Sequence, residues 1–235
     1  MPKSLSVTEA KRFYDRFGRL QDVQALYEGR ALRYLEEAGR FESARAVFEF
    51  GCGTGAFARR LFERRLPEGA RYVGVDVSET MARIARRRLE RWRRRAEIRL
   101  VSGSLPFEDA DASYDRFLSN YVLDLLPEEE IAAVLAEARR MLTGDGLLCL
   151  ASLTHGATAA SRIIGRLWSR IHDWKPWWTG GCRPIELLEF VKPPQWRVFE
   201  RRTVSQLGIS SEVLIAGKGQ PEDAAGTVSV RLLRN

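Results

Sequence analysis

One short stretch of the sequence joins an apolar segment, an acidic residue and three closely spaced glycines. It covers residues 47–56 and reads VFEFGCGTGA. Because glycine has no Cβ, the backbone amides of such a turn can approach a ligand closely. A helix that begins directly after the turn adds unpaired N–H groups and positive potential. The stretch therefore predicts a binding site for a nucleotide-type cofactor.

The glycines alone fit two kinds of cofactor, because Gly51-x-Gly53-x-x-Ala56 also satisfies the relaxed dinucleotide fingerprint. Glu49 separates the two interpretations. It lies two residues before the first glycine, at the end of a predicted strand, where we expect it to face the ligand. A carboxylate there would repel a pyrophosphate and attract an ammonium group. S-adenosylmethionine has an amino group, a sulfonium and no phosphate, so it fits this site better than NAD.

The motif resembles that of the class I S-adenosylmethionine-dependent methyltransferases, which is an acidic residue, one spacer and Gly-x-Gly-x-Gly. A second match follows at residues 72–78 (YVGVDVS), an apolar strand that ends in an acid. The resemblance implies that Asp76 accepts hydrogen bonds from the ribose hydroxyls; the alternative is a carboxylate that only stabilises a helix N-terminus. Residues 100–107 resemble the family's loop beside the adenine, where Ser104 occupies the position of the usual acidic or amide side chain; an ordinary turn serine is the alternative. The cofactor site implied in this way comprises Glu49, Gly51, Cys52, Gly53, Gly55, Asp76, Val77, Ser78, Met81, Ser104, Leu105 and Asn120.

Two further segments are similar to the ubiquinone and menaquinone methyltransferase group. Residues 118–127 (LSNYVLDLLP) resemble its fourth motif and lack the Asn/Asp-Pro-Pro-aromatic tetrad of many methyltransferases that act on base amino groups. This implies that Asn120 and Tyr121 lie between cofactor and acceptor, whereas Asp124 either contacts the acceptor or caps a helix. Residues 13–17 (FYDRF) resemble the opening of the same group, in which case the Tyr14 hydroxyl lies near the transferred methyl group; a tyrosine packed in the core is the alternative.

His155 is the best candidate for a general base. It directly follows a predicted strand, and open α/β sheets bind ligands at the carboxyl ends of their strands. Histidine titrates near neutrality, but a hydrogen-bonded loop histidine is the plain alternative. Trp178 belongs to a group of four tryptophans in residues 168–178, and Arg183 follows in TGGCRPI. Both are expected beside the acceptor, unless the tryptophans only pack an inserted helix.

The order of apolar segments predicts an α/β fold. Strands are expected at 45–50, 71–77, 97–102, 115–120 and 146–153, and they alternate with helices at 54–65, 79–95 and 127–142. This pattern is typical of a doubly wound, Rossmann-like parallel sheet. Two last strands, at 195–204 and 211–217, are joined by a short link and are expected to be antiparallel. We therefore predict a seven-stranded sheet with a reversed last strand. We predict a helical cap at 1–44, a core at 45–218 with an aromatic insertion at 156–194, and a tail at 219–235.

The composition of the 235 residues fits one globular domain with 45% apolar content. The net charge is +7, and arginines crowd residues 83–95, where they form either a solvated face or a contact with nucleic acid or acidic lipids. Three cysteines and two histidines lack metal-ligand spacing, so no metal site is expected and the thiols should be reduced in a cytoplasmic protein. The sequence contains no run of roughly 20 apolar residues, so no transmembrane helix is expected.

Together these observations predict in-line methyl transfer to a small, hydrophobic or aromatic acceptor, such as a quinol, phenol, amine or lipid. The alternatives are an RNA or DNA methyltransferase that uses the basic face and a NAD-dependent oxidoreductase. A small-molecule acceptor is the expected partner, with nucleic acid disfavoured and peripheral membrane contact left open. Both a monomer and a homodimer are compatible with the sequence.

Overall fold

The computed structural model describes residues 21–155 and 182–219. The strands are β1 Ala46–Phe50, β2 Arg71–Asp76, β3 Ala96–Leu100, β4 Tyr114–Asn120, β5 Leu142–Leu153, β6 Trp196–Gln206 and β7 Ile209–Lys218. The helices are α1 Gln21–Ala38, α2 Ala56–Arg64, α3 Glu79–Arg88 and α4 Glu128–Met141. Short 3-10 turns lie at Phe41–Ser43, Glu90–Trp92, Leu123–Leu125 and Leu187–Glu189.

The strands form one seven-stranded sheet in the order β3-β2-β1-β4-β5-β7-β6. The first five pair in parallel, and β7 is antiparallel to both β5 and β6. This confirms the predicted fold class, including the reversed last strand. The strand order changes direction between β1 and β4, and doubly wound sheets bind their ligands in the crevice at such a point. The glycine turn directly follows β1 and so lies at this crevice.

Alternating side chains give the sheet two buried faces. Val47, Tyr72 and Leu118 point to the face that α1, α2 and α3 cover. Phe48 and Phe117 point to the opposite face, which α4 covers. Full burial of a large apolar side chain contributes about 1.5–3 kcal/mol, so these two layers hold the strand ends, and with them the crevice, in a fixed position.

Helix α3 is shorter than the sequence indicates. A helix was predicted over 79–95, but it ends at Arg88 and a 3-10 turn follows at Glu90–Trp92. In that turn the Trp92 N–H donates to the Leu89 carbonyl at 2.8 Å. The Trp92 ring stacks on Phe62, with ring centroids 5.2 Å apart. The prediction was wrong at this end because this contact with α2 is long-range and has no local signal.

Helix α1 packs across the far edge of the sheet. The Tyr34 hydroxyl donates to the Glu200 carboxylate on β6, and the Arg202 guanidinium lies 4.6 Å from the centroid of the Tyr34 ring. The preceding part of the predicted cap, residues 1–20, lies outside the described residues, as do 156–181 of the predicted insertion. Among the described helices, none combines the length and apolar character that a membrane span requires.

Candidate cofactor site

The glycine turn is fixed to the end of β2. The N–H groups of Gly51 and Cys52 both donate to the Val75 carbonyl, at 2.9 and 3.0 Å. Gly51 has a φ of +74°, and a Cβ at this position would lie 2.3 Å from Val122 Cγ2. Only glycine fits there, because the conformation disfavours other residues and Val122 fills the space. The turn is therefore a shaped part of the crevice.

Asp76 lies beside this turn at the end of β2. Its carboxylate accepts one hydrogen bond from the Gly53 N–H and another from the Ser78 N–H, both at 2.8 Å. Ser78 in turn caps α3, since its hydroxyl accepts the Met81 N–H at 3.3 Å. Asp76 is only half-buried, and a carboxylate has about four acceptor sites. It can therefore accept further hydrogen bonds from a ligand.

Glu49 lies beneath the turn and is 2% exposed. One carboxylate oxygen accepts the Tyr72 hydroxyl at 2.5 Å and the other accepts the Asn120 side-chain amide at 3.1 Å. The register between the strands explains why Glu49, Tyr72 and Asn120 lie together. Glu49 is opposite Gly74 on β2 and Leu118 on β4. Tyr72 and Asn120 lie two residues from these positions, so they share the sheet face of Glu49.

The electrostatics of this group indicate that a positive charge would be favourable there. Burial raises the pKa of Glu49 to about 7, against the lowering effect of the hydrogen bonds from Tyr72 and Asn120. The Asn120 Oδ1 atom is buried and has no hydrogen-bond partner among residues 21–155 and 182–219. Buried acceptors without partners are rare in folded proteins. An ammonium group could donate to Asn120 Oδ1 and neutralise Glu49 at the same time.

Comparison with known families agrees with this chemistry. Residues 47–146 match the family described as a methyltransferase domain. This part of the chain is a class I methyltransferase domain. Class I methyltransferases use S-adenosylmethionine, and the groups of this domain fit that cofactor. An amino group suits Glu49 and Asn120 Oδ1, a ribose diol suits Asp76, and the glycines leave room for the ligand.

Two of the curated relatives are named as methyltransferases. The chain is 34% identical over 109 residues to a demethylmenaquinone methyltransferase of Tropheryma whipplei (strain Twist), across 46% of this chain and 42% of that protein. It is 30% identical over 173 residues to a malonyl-[acyl-carrier protein] O-methyltransferase of Erwinia pyrifoliae, across 71% of this chain and 61% of that protein. The chain thus spans less than two thirds of the length of either relative.

A solved structure supports the fold. The geranyl diphosphate C-methyltransferase from Streptomyces coelicolor A3(2), solved with Mg²⁺, geranyl-S-thiolodiphosphate and S-adenosyl-L-homocysteine, superposes with a TM-score of 0.68. The alignment covers 93% of this chain and 99% of that chain at 13% sequence identity. At this identity the likeness concerns the architecture of the methyltransferase domain.

The other predicted cofactor residues lie around the same crevice, and their roles stay predictions. Met81 is buried in α3, and Val77 is half-buried. Ser104 is exposed, with its hydroxyl 3.0 Å from that of Ser102, and Leu105 packs against the core. Burial raises the pKa of the Cys52 thiol well above its usual range, so this thiol stays protonated at neutral pH.

Tyr121 and Asp124 follow β4 on the predicted acceptor side. Tyr121 has a φ of +55°, and its hydroxyl is 2.8 Å from that of Ser211 on β7. Asp124 is fully buried and accepts the Leu153 N–H at 3.0 Å, and burial raises its pKa to about 7. Asp124 therefore connects the end of β4 to the end of β5. Its other carboxylate oxygen, Oδ1, is buried and has no hydrogen-bond partner in the part of the chain that the structure describes.

The structure brings Arg183 to the same strand ends. Its N–H donates to the Asp124 carbonyl at 3.0 Å, and its guanidinium donates to the Leu126 carbonyl at 2.9 Å. His155 is exposed directly after β5. The other two acceptor-side candidates, Tyr14 and Trp178, lie outside the described residues. Within 21–155 and 182–219, no group of three or more His, Cys, Asp or Glu is arranged to hold a metal, and Cys52, Cys149 and Cys182 are free and buried.

The basic character of the chain is concentrated in one region. Residues 56–95 contain 13 basic and five acidic residues, a net charge of +8 against +7 for the whole chain. Half of the eight arginines in 83–95 make hydrogen bonds within the domain. They are Arg86 to Ile98, Arg88 to Thr54, Arg93 to Glu90 and Arg95 to Pro67. Four of the eight arginines in this segment therefore make contacts within the domain as well as contributing to its positive charge.

Proposed function

We propose that the protein transfers a methyl group from S-adenosylmethionine to a small hydrophobic or aromatic acceptor, such as a quinol, phenol, amine or lipid. The observation that carries the proposal is the group beneath the glycine turn. There a buried carboxylate without an ion pair among the described residues adjoins the unpartnered Asn120 Oδ1. These acceptors suit an ammonium group and disfavour a diphosphate. A nicotinamide cofactor would bring its diphosphate to this turn.

The residues around the crevice divide into two roles. Glu49 and Asn120 would receive the amino group of the cofactor, and Asp76 would receive the ribose hydroxyls. When bound, S-adenosylmethionine supplies an electrophilic methyl group that the nucleophile of the acceptor takes by in-line displacement. The domain then contributes mainly by holding two reactants in line, and proximity and orientation supply most of the rate acceleration.

The acceptor side is proposed to lie at the ends of β4 and β5. The contact of the Tyr121 hydroxyl with Ser211 holds Tyr121 at this position. His155 follows β5 in the chain and is exposed. His155 is proposed to take a proton from a hydroxyl or amine acceptor, because an imidazole can act as a general base. The name of the demethylmenaquinone relative supports a quinol-type acceptor. Tyr14 and Trp178 are proposed to complete this side.

Methylation of RNA or DNA is the second candidate, and the net charge of +8 in residues 56–95 favours it. The experiment that separates the candidates uses S-adenosylmethionine with a labelled methyl group. Quinols, phenols, amines, phospholipids and mixed RNA are offered in parallel, and transferred label is counted. Label in a small hydrophobic acceptor supports the proposal. Label in RNA alone, or the absence of transfer with tight NAD binding, would contradict it.

A further inference from the structure

We propose that Tyr72 is a positioning residue of the cofactor site, whose hydroxyl holds the Glu49 carboxylate in place to receive the ammonium group of the ligand. The inference rests on the proposed function, because the ligand concerned is S-adenosylmethionine. It assigns a role to a strand residue that faces the core and carries no part of the glycine motif.

The geometry of the described residues directs the Tyr72 hydroxyl to Glu49. Its ring is 1% exposed and lies edge-on against Phe62, with centroids 5.8 Å apart. From there the side chain reaches along β2, past Gly74, to donate to Glu49 at 2.5 Å. A Cβ at residue 74 would lie 2.7 Å from this hydroxyl. Gly74 thus leaves open the path by which Tyr72 reaches the carboxylate.

None of the described side chains that face Glu49 is a cation. Tyr72 and Asp76 come from β2, Asn120 comes from β4, and Cys52 comes from the glycine turn. Asp76 raises the pKa of Glu49, whereas the hydrogen bonds from Tyr72 and Asn120 lower it. None of the ion pairs of residues 21–155 and 182–219 includes Glu49. The neutral hydrogen-bond donors Tyr72 and Asn120 therefore offset part of the free-energy cost of burying the Glu49 charge.

The protonation of Glu49 couples ligand binding to pH. Burial raises the pKa of Glu49 to about 7, so the carboxyl is largely protonated in the free protein below this pH. An ammonium group binds the ionised form, so binding below pH 7 must expel the proton. The pKa of Tyr72 itself lies well above its usual value, mainly because of burial, so its hydroxyl remains a donor throughout. Loss of the Tyr72 hydrogen bond should raise the pKa of Glu49 further.

The test measures the dissociation constant of S-adenosylhomocysteine by calorimetry between pH 5.5 and 8.5 for wild type and Tyr72→Phe. The loss of a hydrogen bond to a charged group is large enough to move the midpoint of the pH dependence of binding upward by about one pH unit or more. The variant should bind about tenfold more weakly at pH 6 and within about twofold of wild type at pH 8.5. Equal weakening of binding at every pH would indicate a merely structural role and overturn the inference. Identical pH profiles of wild type and Tyr72→Phe would also overturn it.

Tyr114→Phe is a matched control. The Tyr114 hydroxyl also donates to a carboxylate, that of Asp109 at 2.6 Å, but at the opposite end of the strands. This variant should reproduce the wild-type profile if the effect of Tyr72 is local to the cofactor site. A shift of similar size in Tyr114→Phe would overturn the inference.

A second measurement needs no ligand. The ¹³C carboxyl signal of Glu49, assigned through its loss in Glu49→Gln, is titrated in wild type and in Tyr72→Phe. The midpoint should move upward in the variant, and an unchanged midpoint would overturn the inference. If wild type fails to bind S-adenosylhomocysteine, the proposed function is wrong, and the inference falls with it. If it binds and the two proteins titrate alike, only the role of Tyr72 is wrong.

Discussion

Replacement of Glu49 by glutamine is expected to stabilise the fold above neutral pH while weakening cofactor binding. Glutamine has the same shape as glutamate, and its side-chain oxygen can still accept the Tyr72 hydroxyl. The substitution removes the negative charge that burial disfavours. It also removes the charge proposed to attract the cofactor. Residues of this kind, which reduce stability and serve binding, are common at functional sites.

The magnitude follows from the pKa of Glu49, which is raised from 4.5 to about 7. The folded state binds this proton more tightly than the unfolded state, so Glu49 favours folding below pH 4.5. That contribution is lost as the pH rises through 7. A shift of roughly 2.5 pKa units corresponds to about 3 kcal/mol. The unfolding free energy of Glu49→Gln, relative to wild type, should therefore increase by about 3 kcal/mol between pH 4.5 and 8.

Urea denaturation across this pH range measures the difference directly, provided that both proteins unfold in two states. Glu137→Gln serves as the control. The Arg140 hydrogen bonds lower the pKa of Glu137, so its stabilising contribution is lost only as the pH falls below the ordinary range of a glutamate. Its difference from wild type should stay nearly constant above about pH 5.5. A Glu49→Gln difference that is equally constant would refute the reasoning.

Three further predictions concern the turn and its surroundings. Gly51→Ala should lower the unfolding free energy by at least about 2 kcal/mol, because positive φ alone costs about 1–2 kcal/mol and the new Cβ overlaps Val122. Gly69→Ala should change it by less than about 1 kcal/mol, because no atom of the described residues lies within 4 Å of a Cβ at this position, and equal effects would contradict this. Asp76→Ala should weaken S-adenosylhomocysteine binding by about 1–3 kcal/mol in calorimetry through the loss of charge-assisted hydrogen bonds, and unchanged affinity would exclude the role. His155→Gln should reduce turnover if the histidine is the general base, whereas full activity from about pH 6 to 9 would make it an ordinary loop residue.

The features that the sequence predicted well are those with local signals. The alternation of apolar residues located β2 at 71–77, close to the observed Arg71–Asp76. Pro127 and the acidic residues after it marked the start of α4 within one residue. The short link at Gly208 indicated the antiparallel pair of β6 and β7. Strand alternation and turn chemistry depend on neighbouring residues, so they can be identified without knowledge of the packing.

The surroundings of Glu49 could not be predicted, because they depend on register between strands distant in sequence. Its carboxylate lies beneath the turn and accepts hydrogen bonds from Tyr72 and Asn120, two partners that the sequence did not indicate. A tyrosine two residues before a glycine on β2 was the available signal, but it indicates a contact only once Glu49 is known to lie opposite Gly74. Asp124 shows the same limit, since its hydrogen bond to Leu153 requires the pairing of β4 with β5.

The carboxylate beneath the glycine turn is proposed to select a nucleoside that carries an ammonium group over a dinucleotide. Parallel calorimetric titrations of the wild-type protein with S-adenosylhomocysteine and with NAD at pH 7.5 test it most directly. We predict that S-adenosylhomocysteine binds at least about tenfold more tightly, a difference of about 1.4 kcal/mol. Tighter binding of NAD would contradict the claim.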